Sequence, residues 1–260
     1  MKLVTPETDY AELACSSHFS FLRGASHPGD LVMAALLGGH AGLGLADRNT
    51  VAGVVRAWSA LRDLREHGLL PGRRVRVGGS PGELAVLEAG MNDPALIEAV
   101  KARAQAFRLA VGARLVFNDG TPDILAYPET RTGWGRLTRL LTLGNRRAIK
   151  GQCEIGLSDL MADPEGLLLI VMPPDQLAGF EATLSRIAAG APGVVWLGAT
   201  MLRRGDDQRR LVRLGSLARR VDVPLIAVND VLYHSPGERD LQDVMTCIRE
   251  GCTVETAGRR

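Results

Sequence analysis

The chain has 260 residues, of which 46% are hydrophobic and 23% are charged. This composition is ordinary for a globular protein and excludes a disordered or collagen-like chain. The 31 basic residues against 29 acidic ones leave a net charge of +2, which is too balanced to indicate nucleic-acid binding by itself. Aromatic residues make up only 4%, so the core must be built from Leu, Val, Ala and Ile.

Cysteine spacing argues against a zinc site or a disulfide framework. No CxxC pair occurs among Cys15, Cys153, Cys247 and Cys252, and no second pair of Cys or His follows the last two. Free thiols in a reducing compartment are therefore expected. The first residues have no apolar signal core, and no run approaches the roughly 18 apolar residues of a membrane span. These features predict a cytoplasmic protein with no membrane partner.

Short apolar runs alternate with amphipathic stretches along the chain. The predicted strands are 11–17, 43–47, 109–117, 123–127, 167–172, 194–199 and 224–229. The predicted helices are 28–37, 51–67, 95–107, 134–147, 175–189, 207–221 and 239–249. Asp206 and Asp207 precede QRRLVRLGSLARR of the sixth helix as capping candidates, and Ser26 precedes a Pro-containing first turn of the first helix.

Apolar strands separated by helices predict a parallel sheet covered by helices. About seven strand–helix units in one chain of this length favour a closed barrel over an open doubly wound sheet. In such a barrel the functional residues lie at the carboxyl ends of the strands. The residues at or next to those ends are Ser17, Asp47, Pro128, Pro173, Thr200 and Asp230.

Two segments depart from the alternating pattern. Residues 71–93 contain five glycines and three closely spaced arginines, which predicts a surface excursion. Residues 251–260 end without a concluding strand or helix, as in a domain that is part of a longer chain.

Three ordered blocks carry a family resemblance. They are SSHFSFLRGASHPGDLV at 16–32, DILAYPETRTGWGRLTRLLTLGNRRAIKGQCEIGLSDL at 123–160 and VPLIAVNDVLYHSPGERDLQDVMTCIREG at 223–251. They resemble the N-terminal PHP domain of the error-prone alpha subunit of bacterial C-family DNA polymerases (the polymerase III alpha type), which acts in damage-induced (SOS) mutagenesis.

That resemblance implies an α/β fold, a distorted (β/α)7 TIM-like barrel formed by residues 1–260 as a single PHP domain with 71–93 inserted at its surface. It also implies that the native chain continues into a polymerase palm. The implied partners are the remaining polymerase domains in cis, DNA through the intact polymerase, and other mutagenesis or replication proteins. The intact parent would be a DNA-directed DNA polymerase, and this segment is expected to be inactive by itself.

The resemblance also indicates which positions hold metals in active PHP domains. A His-x-His pair on the first strand corresponds here to Ala14 and Ser16. An Asp-His pair ending the second strand corresponds to Asp47 and Arg48, so the carboxylate is kept and the imidazole is lost.

The remaining ligand positions are altered in the same direction. Arg114 stands where the third strand carries a metal-bridging Glu, and a permanently cationic guanidinium opposes a divalent ion. On the last strand Asp230 is kept, whereas Leu232 replaces a His and cannot ligate a metal. We therefore expect a degenerate metal site with no catalytic residue and no cofactor, in which Asp230 caps the final helix region or pairs with Arg114 or Arg48.

Two alternatives remain open at this point. A rebuilt site that uses Asp230, Asp47, His18 and His234 would give a metal-dependent phosphoesterase or 3′–5′ exonuclease. A stand-alone PHP-fold protein would serve only in interactions.

Other local motifs are incomplete. No GxSxG elbow surrounds Ser16, Ser17 or Ser20, and neither Gly24 nor the pair at 78–79 forms a complete phosphate-binding loop.

Overall fold

The computed structural model describes residues 9–68 and 93–258. The strands are β1 (Ala11–Cys15), β2 (Gly42–Arg48), β3 (Arg108–Leu115), β4 (Ile124–Pro128), β5 (Leu167–Val171), β6 (Val195–Ala199) and β7 (Leu225–Ala227). The α-helices of these ranges are α1 (Pro28–Leu37), α2 (Val54–His67), α3 (Pro94–Ala106), α4 (Arg131–Arg147), α5 (Leu157–Met161), α6 (Phe180–Gly190), α7 (Asp207–Val221) and α8 (Arg239–Glu250). A 3₁₀ turn, Pro236–Glu238, precedes α8.

All seven predicted strands and all seven predicted helices are present, which confirms the α/β class. Helix α5 and the 3₁₀ turn were not predicted from the sequence. The predicted excursion at 71–93 lies outside the described residues except for Asp93, whose side chain accepts a hydrogen bond from the backbone N–H of Ala95 and so caps α3.

The seven strands lie side by side in chain order, from β1 to β7. β1 pairs with β2, β5 with β6, and β6 with β7 in parallel, as predicted. The expectation of a wholly parallel sheet is wrong for β4, which runs antiparallel to both β3 and β5. Residues 116–123 join β3 to β4 without a helix, and a short connection suits an antiparallel neighbour, whereas a parallel one needs a longer crossover.

The chain forms two compact units. The described residues of the first unit are 9–47, 52–68, 93–110 and 231–258, and its core lies among β1, β2 and helices α1 to α3. Leu36, Leu61, Leu64 and Phe107 are buried there, each at or below 2% exposure. Gly68 ends α2 in the left-handed conformation, with φ of 69°.

The second unit comprises residues 48–51 and 111–230. Its core lies among strands β3 to β6 and helices α4 to α7, with Leu137, Ile155, Leu169 and Leu197 fully buried. The Thr130 hydroxyl accepts a hydrogen bond from the Gly133 N–H at 3.0 Å and caps α4. Across the described ranges, no helix combines the length and the apolar character that crossing a bilayer requires.

Candidate functional site

A buried ion pair in the second unit joins Arg114 of β3 to Asp230, which follows β7. Arg114 Nη2 lies 2.5 Å from Asp230 Oδ1, and Nη1 lies 3.5 Å from Oδ2. The Arg114 side chain is only 2% exposed, and that of Asp230 is 25% exposed. A guanidinium that faces both oxygens of one carboxylate makes a directional, charge-assisted contact. Of the pairings considered for Asp230, the one with Arg114 is therefore confirmed.

A second carboxylate lies against the same guanidinium. Asp123 Oδ2 is 3.6 Å from Arg114 Nη1, and the Asp123 side chain is 29% exposed. Asp123 directly precedes β4, whose first residue Ile124 pairs with Leu115 near the end of β3. Because β4 is antiparallel, its amino end lies beside the carboxyl end of β3. The expectation that Pro128 lies at the functional edge is therefore wrong, and Asp123 takes that place.

Asn49 fixes the end of β3 that carries the guanidinium. Its backbone N–H donates to the Arg114 carbonyl at 2.9 Å. Its side chain accepts from the Val116 N–H at 2.8 Å and donates to the Val116 carbonyl at 3.1 Å. Asn49 has φ of 48° and Asp230 has φ of 53°, the left-handed region that Asn and Asp tolerate best among residues other than glycine. Asn49 was not predicted from the sequence, although an Asn directly after a strand end is a usable signal.

Asp47, at the end of β2 in the first unit, is enclosed by hydrogen-bond donors. Its Oδ1 accepts from the Ser17 N–H at 2.7 Å and from the Ser20 hydroxyl at 2.7 Å, and the Ser17 hydroxyl lies 2.9 Å from Oδ2. Asp47 itself is buried. Burial raises the pKa of this carboxyl above its ordinary 3.8, and the hydrogen bonds from Ser20 and Ser17 oppose that rise.

Two glycines allow this close packing. A Cβ on Gly53 would overlap Asp47 Oδ2, and a Cβ on Gly24 would overlap the backbone carbonyl of Ser17. The need for glycine at position 24 therefore follows from the close approach of two backbone segments. Ser17 and Ser20 are fully buried and donate to Asp47, so neither hydroxyl is presented to a substrate.

The two positions that correspond to the His-x-His pair are Ala14 in β1 and Ser16 just after it, and both bond through their backbones to Val231. The Ala14 carbonyl accepts from the Val231 N–H at 2.8 Å, and the Ser16 N–H donates to the Val231 carbonyl at 2.9 Å. The Ser16 hydroxyl donates to the Ala46 carbonyl at 3.3 Å. Leu232 is half-buried, and its carbonyl accepts a hydrogen bond from the backbone of the loop before α1.

The two histidines of the alternative metal set have separate surroundings in the first unit. His18 is exposed, and its ring centroid lies 5.1 Å from that of His27. His234 Nδ1 lies 2.8 Å from the Ser26 hydroxyl oxygen, which also accepts from the His234 N–H at 2.9 Å. Arg48 is exposed. Within residues 9–68 and 93–258, no three His, Cys, Asp or Glu side chains converge in a way that suits a metal ion.

Similarity to proteins of known sequence is extensive but covers only a segment of them. The chain is 45% identical over 253 residues to an error-prone DNA polymerase of Rhodopseudomonas palustris BisB5, 44% identical over 252 residues to one of Brucella abortus, and 40% identical over 252 residues to one of Caulobacter vibrioides. Each match covers 96% of this chain and 20% of the relative. The chain thus spans about a fifth of the length of these relatives. No family model matches the chain.

Solved structures support the fold. A candidate metal-dependent phosphoesterase of Bifidobacterium adolescentis matches with a TM-score of 0.52 and 15% identity, over 89% of this chain and 90% of that one. An amidohydrolase of Chromobacterium violaceum, solved with sulfate and no metal, matches with a TM-score of 0.50 and 13% identity over 88% of each chain. At these identities the likeness concerns the fold alone, and it confirms the distorted TIM-like barrel of PHP type. Over nearly all of its length, this chain is a PHP-like relative of one segment of the error-prone DNA polymerases, as its sequence predicted.

Proposed function

We propose that this chain is a non-catalytic, structural PHP domain of an error-prone DNA polymerase that acts in damage-induced DNA synthesis. The observation that carries the proposal is the pair between Arg114 and Asp230, in which a buried guanidinium takes the carboxylate that would otherwise serve a metal. A permanent positive charge at that position opposes a divalent cation and also satisfies the carboxylate.

The surrounding residues do not fit a catalytic metal cluster. A catalytic zinc site commonly uses three protein ligands and one open position, and a PHP centre holds several metals. Asp230 and Asp123 both face Arg114, and Asp47 accepts hydrogen bonds from three donor groups of Ser17 and Ser20. Ala14 and Leu232 have no ligating atom in their side chains. We therefore derive no hydrolytic step for this chain.

The share of the relatives that the chain represents supports the structural role. Residues 1–260 would form one PHP domain, with 71–93 as an insertion, that supports the remaining polymerase domains in cis. Nucleotidyl transfer and contact with DNA would belong to those other domains and to the intact polymerase in the cytoplasm. About four fifths of each relative lies outside the matched segment, which leaves ample chain for these functions.

A metal-loading experiment tests the proposal. The purified chain is incubated with excess Mn²⁺ or Zn²⁺ and desalted, and bound metal is counted by mass spectrometry. Hydrolysis of a 3′-labelled single-stranded DNA and of a simple phosphodiester is measured in parallel. We expect far less than one metal per chain and hydrolysis equal to that of metal alone.

The Asp230→Ala variant separates the alternatives. Its metal content and background hydrolysis should equal those of the unmodified chain. At least one stoichiometric metal, together with hydrolysis that this variant loses, would establish the phosphoesterase or exonuclease alternative instead. An open reading frame that stops at Arg260 would favour the stand-alone interaction protein.

A further inference from the structure

Helix α8 exposes its aliphatic side and buries a polar residue. Leu241, Val244 and Ile248 are spaced by three and four residues, so they lie on one face of the helix, and all three are exposed. Ile248 is 61% exposed. The residues of α8 that are buried are Gln242 and Cys247. This is the reverse of the usual pattern, in which the apolar stripe of a surface helix packs on its own core.

The loop joined to this helix carries an exposed aromatic side chain. Phe21 is 82% exposed. The whole chain contains only five Phe, so one of its few large aromatic side chains is left in solvent. Leu22 beside it has φ of 55°, a strained conformation for a residue with a branched side chain. Arg249 Nη1 of α8 donates to the Leu22 carbonyl at 3.1 Å and joins this loop to the helix. Phe21, Leu241, Val244 and Ile248 are together called the α8 face.

The charges around the α8 face distinguish between kinds of partner. Arg239 faces Asp243 at 3.8 Å, and Arg249 faces Glu250 at 3.0 Å. A surface bordered by mutually paired charges lacks the unbalanced positive field that attracts nucleic acid or an anionic membrane. An aromatic and aliphatic centre with a mixed polar rim is instead the pattern of a protein–protein contact.

The size of the α8 face favours an occupant from the same polypeptide over a second copy. A stable dimer buries about 800 Å² per partner through roughly 20–30 residues a side, far more than four side chains offer. Contacts between domains of one chain are smaller and more polar. The relatives extend beyond the matched segment by about four fifths of their length, so a covalently joined partner exists in them.

We infer that the α8 face is the docking surface for the polymerase portion that lies outside the matched segment. This inference rests on the proposed function and adds to it the surface through which the structural role is exerted. Exposed aliphatic and aromatic side chains become buried there, and the Arg114–Asp230 pair belongs to the other unit, so the two proposals rest on different residues.

Amide hydrogen exchange in a full-length protein tests the inference. The chain replaces the matched segment of the Rhodopseudomonas palustris polymerase, and exchange of the α8 amides is compared with that in the 260-residue chain alone. We expect at least tenfold slower exchange in the full-length protein. Val244→Asp combined with Ile248→Asp should abolish this protection. Val212→Asp on α7, whose side chain is also exposed, is the matched control and should leave it unchanged.

Several results would overturn the inference. One is that, in the full-length protein, the α8 amides are protected from hydrogen exchange equally in the paired variant (Val244→Asp with Ile248→Asp) and in the Val212→Asp variant. Another is that the paired variant lowers the urea midpoint of the 260-residue chain alone, because the face would then belong to that chain's own fold. Sedimentation of the 260-residue chain as a dimer that the paired variant dissociates would make a second copy the occupant. None of these results depends on metal content, so the proposed function stands or fails separately by its own experiment.

Discussion

Replacing Asp230 by Asn tests the buried ion pair with little change in shape. Asn tolerates the left-handed backbone at this position as well as Asp does, so the substitution removes charge and leaves the φ of 53° acceptable. Arg114 then remains buried and charged, because a guanidinium does not lose its proton in proteins. Breaking a buried pair in this way costs about 3–5 kcal/mol. Asp123 stays 3.6 Å from Nη1 and compensates in part, so we expect about 3 kcal/mol.

Urea denaturation measures this cost. With a slope of about 3 kcal/mol/M, a loss of about 3 kcal/mol lowers the midpoint by about 1 M at an unchanged slope. Arg114→Met should cost less, about 2 kcal/mol, because the two carboxylates left behind are each at least a quarter exposed and take up water. The double variant should then lie within about 1 kcal/mol of the unmodified chain, since the charges of Arg114 and Asp230 are both removed and only the partly exposed Asp123 loses a contact.

The matched control is Asp123→Asn, which removes the longer and more exposed contact and should cost about 1 kcal/mol or less. If Asp230→Asn costs no more than this control, or if the two single effects simply add in the double variant, Arg114 and Asp230 are not coupled and the reasoning is wrong.

Three further predictions concern other residues. Burial raises the pKa of Asp47 in the folded state. The Asp47 side chain therefore contributes its full stabilisation below the ordinary pKa of 3.8 and loses it as pH rises through the pKa of the folded state. The unfolding free energy of the unmodified chain minus that of Asp47→Asn should therefore fall over this pH window, and a constant or rising difference in urea titrations would contradict the burial argument. Thr130→Ala should lower the unfolding free energy by about 1 kcal/mol, because Thr130 caps α4. Asp206→Ala should change it by less than about 0.5 kcal/mol, because the Asp206 side chain makes no cap hydrogen bond. Equal shifts of the melting temperature in the two variants would refute this. Leu232→His should leave phosphodiester hydrolysis at background with Mn²⁺ present, since other ligands are still missing, and metal-dependent turnover by this variant would show a less degraded site.

The sequence predicts the elements of this fold better than their directions. Apolar runs bounded by turn residues identify each of the seven strands in the described ranges, because burial on both faces is visible in composition. The same run is equally compatible with a parallel and an antiparallel neighbour, so the direction of β4 was missed. Helix α5 was missed because five residues are too few to show a helical period.

The candidate site was predictable to a similar extent. The pairing with Arg114 was one of three roles that the sequence left open for Asp230, beside a cap of the final helix region and a pairing with Arg48. Asp123 was missed because its place beside Arg114 depends on the antiparallel direction of β4. Asn49 was missed because it acts through the backbone of β3 and carries no charge.

Diffraction at the manganese absorption edge, from crystals of the chain soaked in Mn²⁺, addresses the central claim most directly. We predict no anomalous peak at coordinating distance, about 2.0–2.6 Å, from the Asp230 carboxylate, and guanidinium density of Arg114 against both of its oxygens. An ordered manganese ion bound to Asp230, with Arg114 displaced from it, would contradict the claim.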